Sequence, residues 1–295
     1  MGVGAHFLIV QGLPVARPVY RSRAKERKSM SSDNTVTAPT FEPVLPQLEV
    51  VKRPPMHEVV YERIRDALTN GDMLPGQRLV IRDLAHMLGT SVMPVREALR
   101  RLEAENAVEL SGGGRTLAVP TLTADQYDEL SLIRTELEGR AAYEAAKRVT
   151  KEELDEIGLY LRAGDAAWEK DDCKGMTLNN RLFHRAVNKA SGRPLLFRII
   201  ESLWLRAGPP LSMAIDTRIL VPNWGSGVFH PHRQAFDALR TGDAVTAAAA
   251  IAYDINSASK AIVSYLRKCE AEGTDVMTAM RPGRGRVRQG GKAGM

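Results

Sequence analysis

Apolar positions change their rhythm along this 295-residue chain. Up to residue 52 they follow no sustained period and are scattered among Pro, Ser, Thr and Val. From Pro55 onward Val60, Ile64, Ala67 and Leu68 recur at i, i+4, i+7 and i+8, the spacing of one helix face. Asn70-Gly71 ends that helix, and LPGQRL turns around Pro75-Gly76. Ile81, Leu84, Ala85 and Leu88 predict a second helix closed by Gly89; Val95, Ala98, Leu99 and Leu102 predict a third. AVEL and TLAV then alternate on either side of SGGGR, whose glycines permit the positive φ a hairpin needs. Three short helices followed by a glycine-tipped hairpin predict a winged helix-turn-helix.

Beyond Pro120 the pattern is helical throughout. Leu130, Ile133, Leu137, Ala141 and Ala145 form one stripe, with Thr123 placed to cap its start. Further helical blocks fall near 151–172, 174–191, 194–217, 229–241 and 243–270. Gly192 and Gly242 separate blocks, and Pro209-Pro210 is expected to kink or break its own. Six helices without a strand signal predict an all-α bundle. The fold class is therefore mostly α: a winged helix-turn-helix over 53–120, then a helical ligand-binding bundle over 121–270. A basic, Pro-rich leader (1–52) and a Gly- and Arg-rich tail (271–295) flank them, both expected to be disordered. Met30, just after the basic run, is a candidate start codon alternative to Met1.

Charge alters this picture less than the total suggests. Residues 1–30 hold six bases and one acid, and residues 281–295 hold five bases and no acid, so the tails carry +10 of a whole-chain +6. Residues 31–280 therefore sum to −4, and basicity alone does not point the folded body at nucleic acid. The tails read as solvated termini or as a salt-sensitive attraction to DNA phosphates. No apolar run approaches the length of a membrane helix, and GAHFLIV lacks preceding basic residues, so neither a span nor a signal peptide is expected. Two cysteines, Cys173 and Cys269, without metal-ligand spacing fit a reduced, cytoplasmic protein.

The stretch GTSVMPVREALRRLEAEN (89–106) carries the first candidate chemistry. Opposite its apolar stripe, Met93, Arg96 and Arg100 share a face. Ser91 is placed as N-cap, and Pro94 fits the first turn. Such a helix start suits a major groove, where N–H groups grip phosphate and Arg can also fork to guanine. The alternative is a solvated face, with Glu97, Glu103 and Glu105 pairing the arginines. Arg101 lies about 100° round from Arg100 and is expected to be solvated or paired within the chain.

A second candidate set lies in the bundle. Asn180 and His184 are i, i+4 on one helix side. His232 lies ten residues before Gly242 and Asp254 twelve after it. An antiparallel pair turning at Gly242 brings both to one level, about 15–18 Å from the turn at ~1.5 Å per residue. Two imidazoles, a carboxylate and an amide oxygen then suit a divalent metal such as Zn²⁺, Ni²⁺ or Mn²⁺. The alternative is that His184 and His232 are satisfied core histidines. His230, two residues from His232, is expected to point elsewhere.

LPGQRL-VIRDLAHMLGTSVMPVREALRRLEAENAV resembles the GntR superfamily of bacterial regulators over about residues 56–120. The resemblance implies DNA contacts from Arg82, Ser91, Arg96 and the wing-tip Gly113, Gly114 and Arg115. Where that family usually has a polar or basic residue and then Thr or Ser before Pro, this chain has Val92-Met93. Base readout there is then apolar, for instance against a thymine methyl, or absent. LIRTELEGRAA, NNRLFHRAVNKASGRPLL and HPHRQAFDALRTGDAVTAAAAIAYDI resemble, in order, the helices of the FadR-like subfamily's FCD domain over about 122–268. The family pattern at the four ligand positions is Asp, His, His, His; here Asn180 and Asp254 replace the first and last. Either the carboxylate has moved across the site, or the metal is lost and the pocket binds through hydrogen bonds. The resemblance also implies a small organic acid as effector, with Arg134 as its carboxylate partner; an ion pair of Arg134 with Glu136 or Glu138 is the competing use.

The function expected is that of a homodimeric, ligand-responsive transcriptional regulator, a repressor by family habit, binding a palindromic double-stranded operator. A metal-dependent hydrolase is the enzymatic alternative, but no nucleophile–base pair or phosphate loop accompanies the cluster, so no enzyme activity is expected. An architectural DNA binder with a degenerate pocket is the third.

Overall fold

The computed structural model describes residues 54–111, 116–220 and 230–274, all within one compact unit. The expected leader (1–52), the tail from 275 onward, and Gly113, Gly114 and Arg115 at the wing tip lie outside the described residues. The fold is mostly helical, with an N-terminal helix-turn-helix part and a helical domain after it.

The first part comprises α1 (Met56–Thr69), β1 (Arg78–Leu79), α2 (Ile81–Met87), α3 (Val92–Ala104), β2 (Glu109–Ser111) and β3 (Thr116–Ala118). The three strands form an antiparallel sheet in the order β1-β3-β2, with Leu79 and Leu110 both paired to Leu117. The hairpin strands match AVEL and TLAV, but β1 falls in what the sequence reads as a turn. Two residues are too few to show an alternation, and β1 exists only because β3 pairs with it. The α3 stripe Val95, Ala98, Leu99 and Leu102 is fully buried against Val60, Ile64 and Leu68 of α1 and Leu84 and Ala85 of α2. The Val, Leu and Ile side chains buried so completely stabilise by roughly 1.5–3 kcal/mol each, the alanines by less. Gly89 closes α2 at φ +63°, a left-handed conformation that a Cβ would strain.

Among the described residues six helices follow: α4 (Ala124–Ala146), α5 (Lys151–Glu169), α6 (Cys173–Ala190), α7 (Pro194–Asp216), α8 (His230–Thr241) and α9 (Ala244–Ala271). Thr123 caps α4 by accepting from Gln126 N, while the Gln126 side chain reaches back to Thr123 N. On α4 the inward face is Leu130, Arg134, Glu138, Ala141 and Ala145, and Ile133 is exposed. The period is as expected, but its phase differs by one residue because a buried ion pair occupies the face where an apolar side chain was expected. Pro209-Pro210 does not interrupt α7. The diproline lies within a stretch buried from Ala207 to Ile215, so packing holds the helix where backbone hydrogen bonds are missing.

The two parts dock through α1 and α7. Leu205 of α7 belongs to the core of the helix-turn-helix part. A Cβ at Gly208 would lie 2.7 and 2.8 Å from the carbonyl oxygens of Leu68 and Thr69, so only glycine permits this approach. Ser212 Oγ donates to the Gly71 carbonyl at 3.2 Å.

Candidate DNA-reading face and interior ligand site

α2, α3 and the sheet enclose a groove of about 610 Å³ lined by Arg82, Val92, Arg96, Arg100, Leu110 and Thr116 among others. Arg82, Ser91, Met93, Arg96 and Arg100 are all exposed, Met93 by 56%. None of the three groove arginines makes an ion pair or hydrogen bond to another described residue. Of the acids that could neutralise them, Glu97 lies 3.4 Å from His57 Nδ1, and Glu105 accepts from Arg101 Nε at 3.2 Å and from the Tyr61 hydroxyl at 2.8 Å, while Glu103 lines the same groove without forming an ion pair with these arginines. Arg101 also stacks on the Tyr61 ring at 3.7 Å. Burial first, then Glu105, pushes the Tyr61 hydroxyl up to about 12, so it stays a donor. One helix thus holds two kinds of arginine, one folded into an intramolecular cluster and one presented to solvent.

Ser91 occupies the N-cap position of α3 in extended backbone (φ −78°, ψ 167°), yet its hydroxyl makes no cap hydrogen bond. Pro94, at the third helical position, has no N–H to give, which removes one of the two usual donors to a cap side chain. The hydroxyl stays exposed at the same helix start as Val92 and Met93.

In the bundle, α6, α8 and α9 bring His184, His232 and Asp254 together. His184 Nε2 lies 3.2 Å from His232 Nε2 and 3.0 Å from Asp254 Oδ2, and His232 Nε2 lies 3.3 Å from the same oxygen. Gly242, at φ +76°, makes the α8–α9 turn that levels His232 with Asp254. Metal–ligand distances of roughly 2.0–2.2 Å put neighbouring donors around one ion about 3–3.5 Å apart, so this triangle of donor atoms fits a divalent cation. Asn180 lies one turn before His184 and is half-buried, with no hydrogen bond to another described residue.

Glu138 on α4 completes the cluster. Its Oε2 faces His184 Nδ1 at 3.1 Å and accepts from Asn188 Nδ2 at 3.1 Å; its Oε1 accepts from Arg134 Nε at 2.8 Å. A carboxylate on Nδ1 fixes the imidazole so that Nε2 faces the other donors, the arrangement found behind metal-bound histidines. Burial would raise the Glu138 carboxyl, but Arg134 first and then His184 hold it down at about 2. Burial would lower His184, but its bonds to Asp254 and Glu138 raise it to about 8. Asp254 is held well below the usual carboxylate range: burial opposes this, and His232 and His184 outweigh it.

Arg134, the expected effector partner, is buried with its Nε on Glu138 and its guanidinium 4.1 Å over the Trp204 ring. Arg181 lies over the same ring at 4.8 Å and donates from Nη2 to Glu201 at 2.6 Å. Its Nε and Nη1 are buried without a hydrogen bond. Glu201 is lowered against burial by Arg181 first and then Arg65. Glu138, Arg181, Trp204 and Glu201 were not singled out as site residues by sequence reasoning. The i, i+4 spacing of Arg134 and Glu138 was visible, but the meeting of Glu138 with His184 across 46 positions was not.

The family model described as "FCD domain" matches residues 129–257, and that described as "Bacterial regulatory proteins, gntR family" matches residues 56–117. The chain is 38% identical over 148 residues to the HTH-type transcriptional regulator McbR of Escherichia coli K12. That alignment covers 50% of this chain and 66% of McbR, just under two thirds of the relative's length. A solved structure of E. coli McbR/YncC superposes with a TM-score of 0.62 at 29% identity, covering 74% of this chain and all of that one. A probable D-xylose utilization operon transcriptional repressor of Paenarthrobacter nicotinovorans is 30% identical over 177 residues, covering 59% of this chain and 74% of that protein. The structure of a putative GntR regulator from Rhodococcus sp. RHA1 (TM-score 0.52, 23% identity, 73% of this chain and 96% of that one) shares the fold.

Proposed function

The chain belongs to the GntR family of bacterial regulatory proteins and carries an FCD domain, and from this we propose that it is a ligand-responsive transcriptional regulator. It binds double-stranded operator DNA as a homodimer, and its bundle takes a small carboxylic acid. The observation that carries the DNA reading is the groove where Arg82, Arg96 and Arg100 stand exposed without an acidic partner. Unpaired guanidinium groups beside an uncapped helix start suit phosphate and guanine edges. Ser91 adds a hydroxyl, and Val92-Met93 offer an apolar surface to a thymine methyl. Two copies related by a two-fold axis would place two α3 helices on successive half-sites of a palindrome. No described helix is long and apolar enough to cross a membrane, and action in the cytoplasm is part of the reading.

For the bundle, His184, His232 and Asp254 would hold a divalent ion, which supplies a Lewis-acid anchor for a carboxylate. Glu138 keeps His184 in the ligating tautomer. Arg134 and Arg181 lie over Trp204, and the buried Nε and Nη1 of Arg181 make no hydrogen bond to a described residue, donors that an acid would satisfy. An acid bound more tightly in one arrangement of the bundle than in another would shift operator affinity by that difference. Binding without turnover is the expected activity, in keeping with the regulator relatives. A second reading has its own support: a protonated His184 between Glu138 and Asp254 satisfies the cluster without a metal, as its rise to about 8 favours.

Selection of the full chain against random duplex DNA tests the first proposal. Enrichment of a palindrome is expected; no enrichment contradicts it. Metal analysis of untagged, chelator-free protein separates the two bundle readings: stoichiometric metal absent from a His184→Ala/His232→Ala variant supports the metal, and none after reconstitution supports the protonated cluster.

A further inference from the structure

Glu201, in the first half of α7, joins two other helices through one carboxylate. Its Oε1 accepts from Arg181 Nη2 of α6 at 2.6 Å, and its Oε2 accepts from Arg65 Nη2 of α1 at 2.8 Å and from Arg185 Nε of α6 at 3.3 Å. The Glu201 side chain is 5% exposed and that of Arg65 18%, so solvent screens the α1–α7 pair only in part. Arg181 and Arg185 flank His184 on α6, three residues before it and one after. A displacement of α6 at His184 therefore displaces both guanidinium groups that hold Glu201. On the far side, α1 cannot move freely from α7, because Leu205 sits in the helix-turn-helix core and Gly208 abuts the Leu68 and Thr69 carbonyls. α1 in turn forms part of the core on which α3 lies.

We infer that the Arg65–Glu201–Arg181/Arg185 clamp is the link by which occupancy of the His184 cluster reaches the DNA-reading part. This rests on the metal reading of that cluster. α6 carries a candidate ligand on one side and the clamp on another, α7 bears the shared carboxylate, and α1 delivers the change to the helix-turn-helix. The clamp is the place where both parts act on one group, which is what a coupling between two sites requires. Arg65 is a positioning residue here: it touches neither DNA nor the metal donors.

The test uses the full chain and zinc chloride. Zinc affinity is measured by calorimetry, and amide hydrogen exchange of Met56–Thr69 is followed by mass spectrometry with and without zinc. In the parent protein zinc is expected to change α1 exchange about fivefold or more, the low end of common coupling strengths. Arg65→Gln leaves the Arg181–Glu201 pair in place, so zinc affinity is expected to hold while the α1 response is lost. Arg65→Lys, which keeps a charge facing Glu201, is expected to retain part of the response, and Glu201→Gln to abolish it. Zinc binding with an unchanged α1, or with an α1 response equal in Arg65→Gln, overturns the link and leaves the metal reading intact. Absence of zinc binding overturns both.

Discussion

Arg96 on α3 and Arg181 on α6 are the same side chain in two settings. Arg96 is exposed, faces a groove and has no acidic partner among the described residues. Arg181 is 3% exposed, stacked on Trp204 and bound to Glu201. A cation in water costs little to leave unpaired, so Arg96 can wait for a partner that arrives from outside. A buried cation must be matched within the fold, and removing its partner leaves a desolvated charge. The helix-turn-helix part thus stores binding capacity on its surface, whereas the bundle stores charge inside, where it sets the geometry of a site. Substitutions in the two regions are expected to fail in different ways.

The largest expected effect is in the bundle. Glu138→Ala removes the acceptor of Arg134 and the orienting group of His184, and it is expected to cost about 3–5 kcal/mol in urea unfolding. A loss under 1 kcal/mol would mean that Arg134 finds another acceptor. Next is acid sensitivity. The Glu201 carboxyl is lowered in the folded state, so its contribution is full above the usual carboxylate range, about pH 4.3, and is lost as pH falls through the lower folded value. Glu201→Gln is therefore expected to be less stable at neutral pH and to show a flatter acid limb; parallel limbs would refute the pairing. The smallest effect separates two caps. Thr123→Ala loses a capping box and is expected to cost about 1 kcal/mol. Ser91→Ala removes no cap bond, so its unfolding midpoint is expected to stay within error while DNA binding weakens.

How much of this was legible in the chain depends on where each partner lies. The α3 stripe was readable because four apolar positions at helical spacing meet one core, and all four are buried. The approach of Asp254 to His232 was readable because a single glycine turn joins their helices, leaving only counting. The phase of α4 was not, because its inward face carries Arg134 and Glu138, and a buried ion pair looks like a solvent-facing one in sequence. Glu201 was illegible for a related reason: its partners lie 16, 20 and 136 positions away on two helices, and no local pattern announces them. Ser91 shows the reverse case, a residue placed correctly at the N-cap whose hydroxyl makes no cap bond, with Pro94 unable to donate at the third helical position.

The central claim is that α3 meets DNA through one set of its arginines and folds with another. The direct measurement compares Arg96→Ala with Arg101→Ala on one selected duplex, by band shift over a range of salt concentrations. Arg96→Ala is expected to lose about 1–3 kcal/mol of affinity, roughly tenfold or more, and its salt slope is expected to fall by about 1 if the contact is to phosphate. Arg101→Ala, bound to Glu105 and Tyr61, is expected to keep both affinity and slope while unfolding slightly earlier. Equal losses of affinity in the two variants would contradict the account.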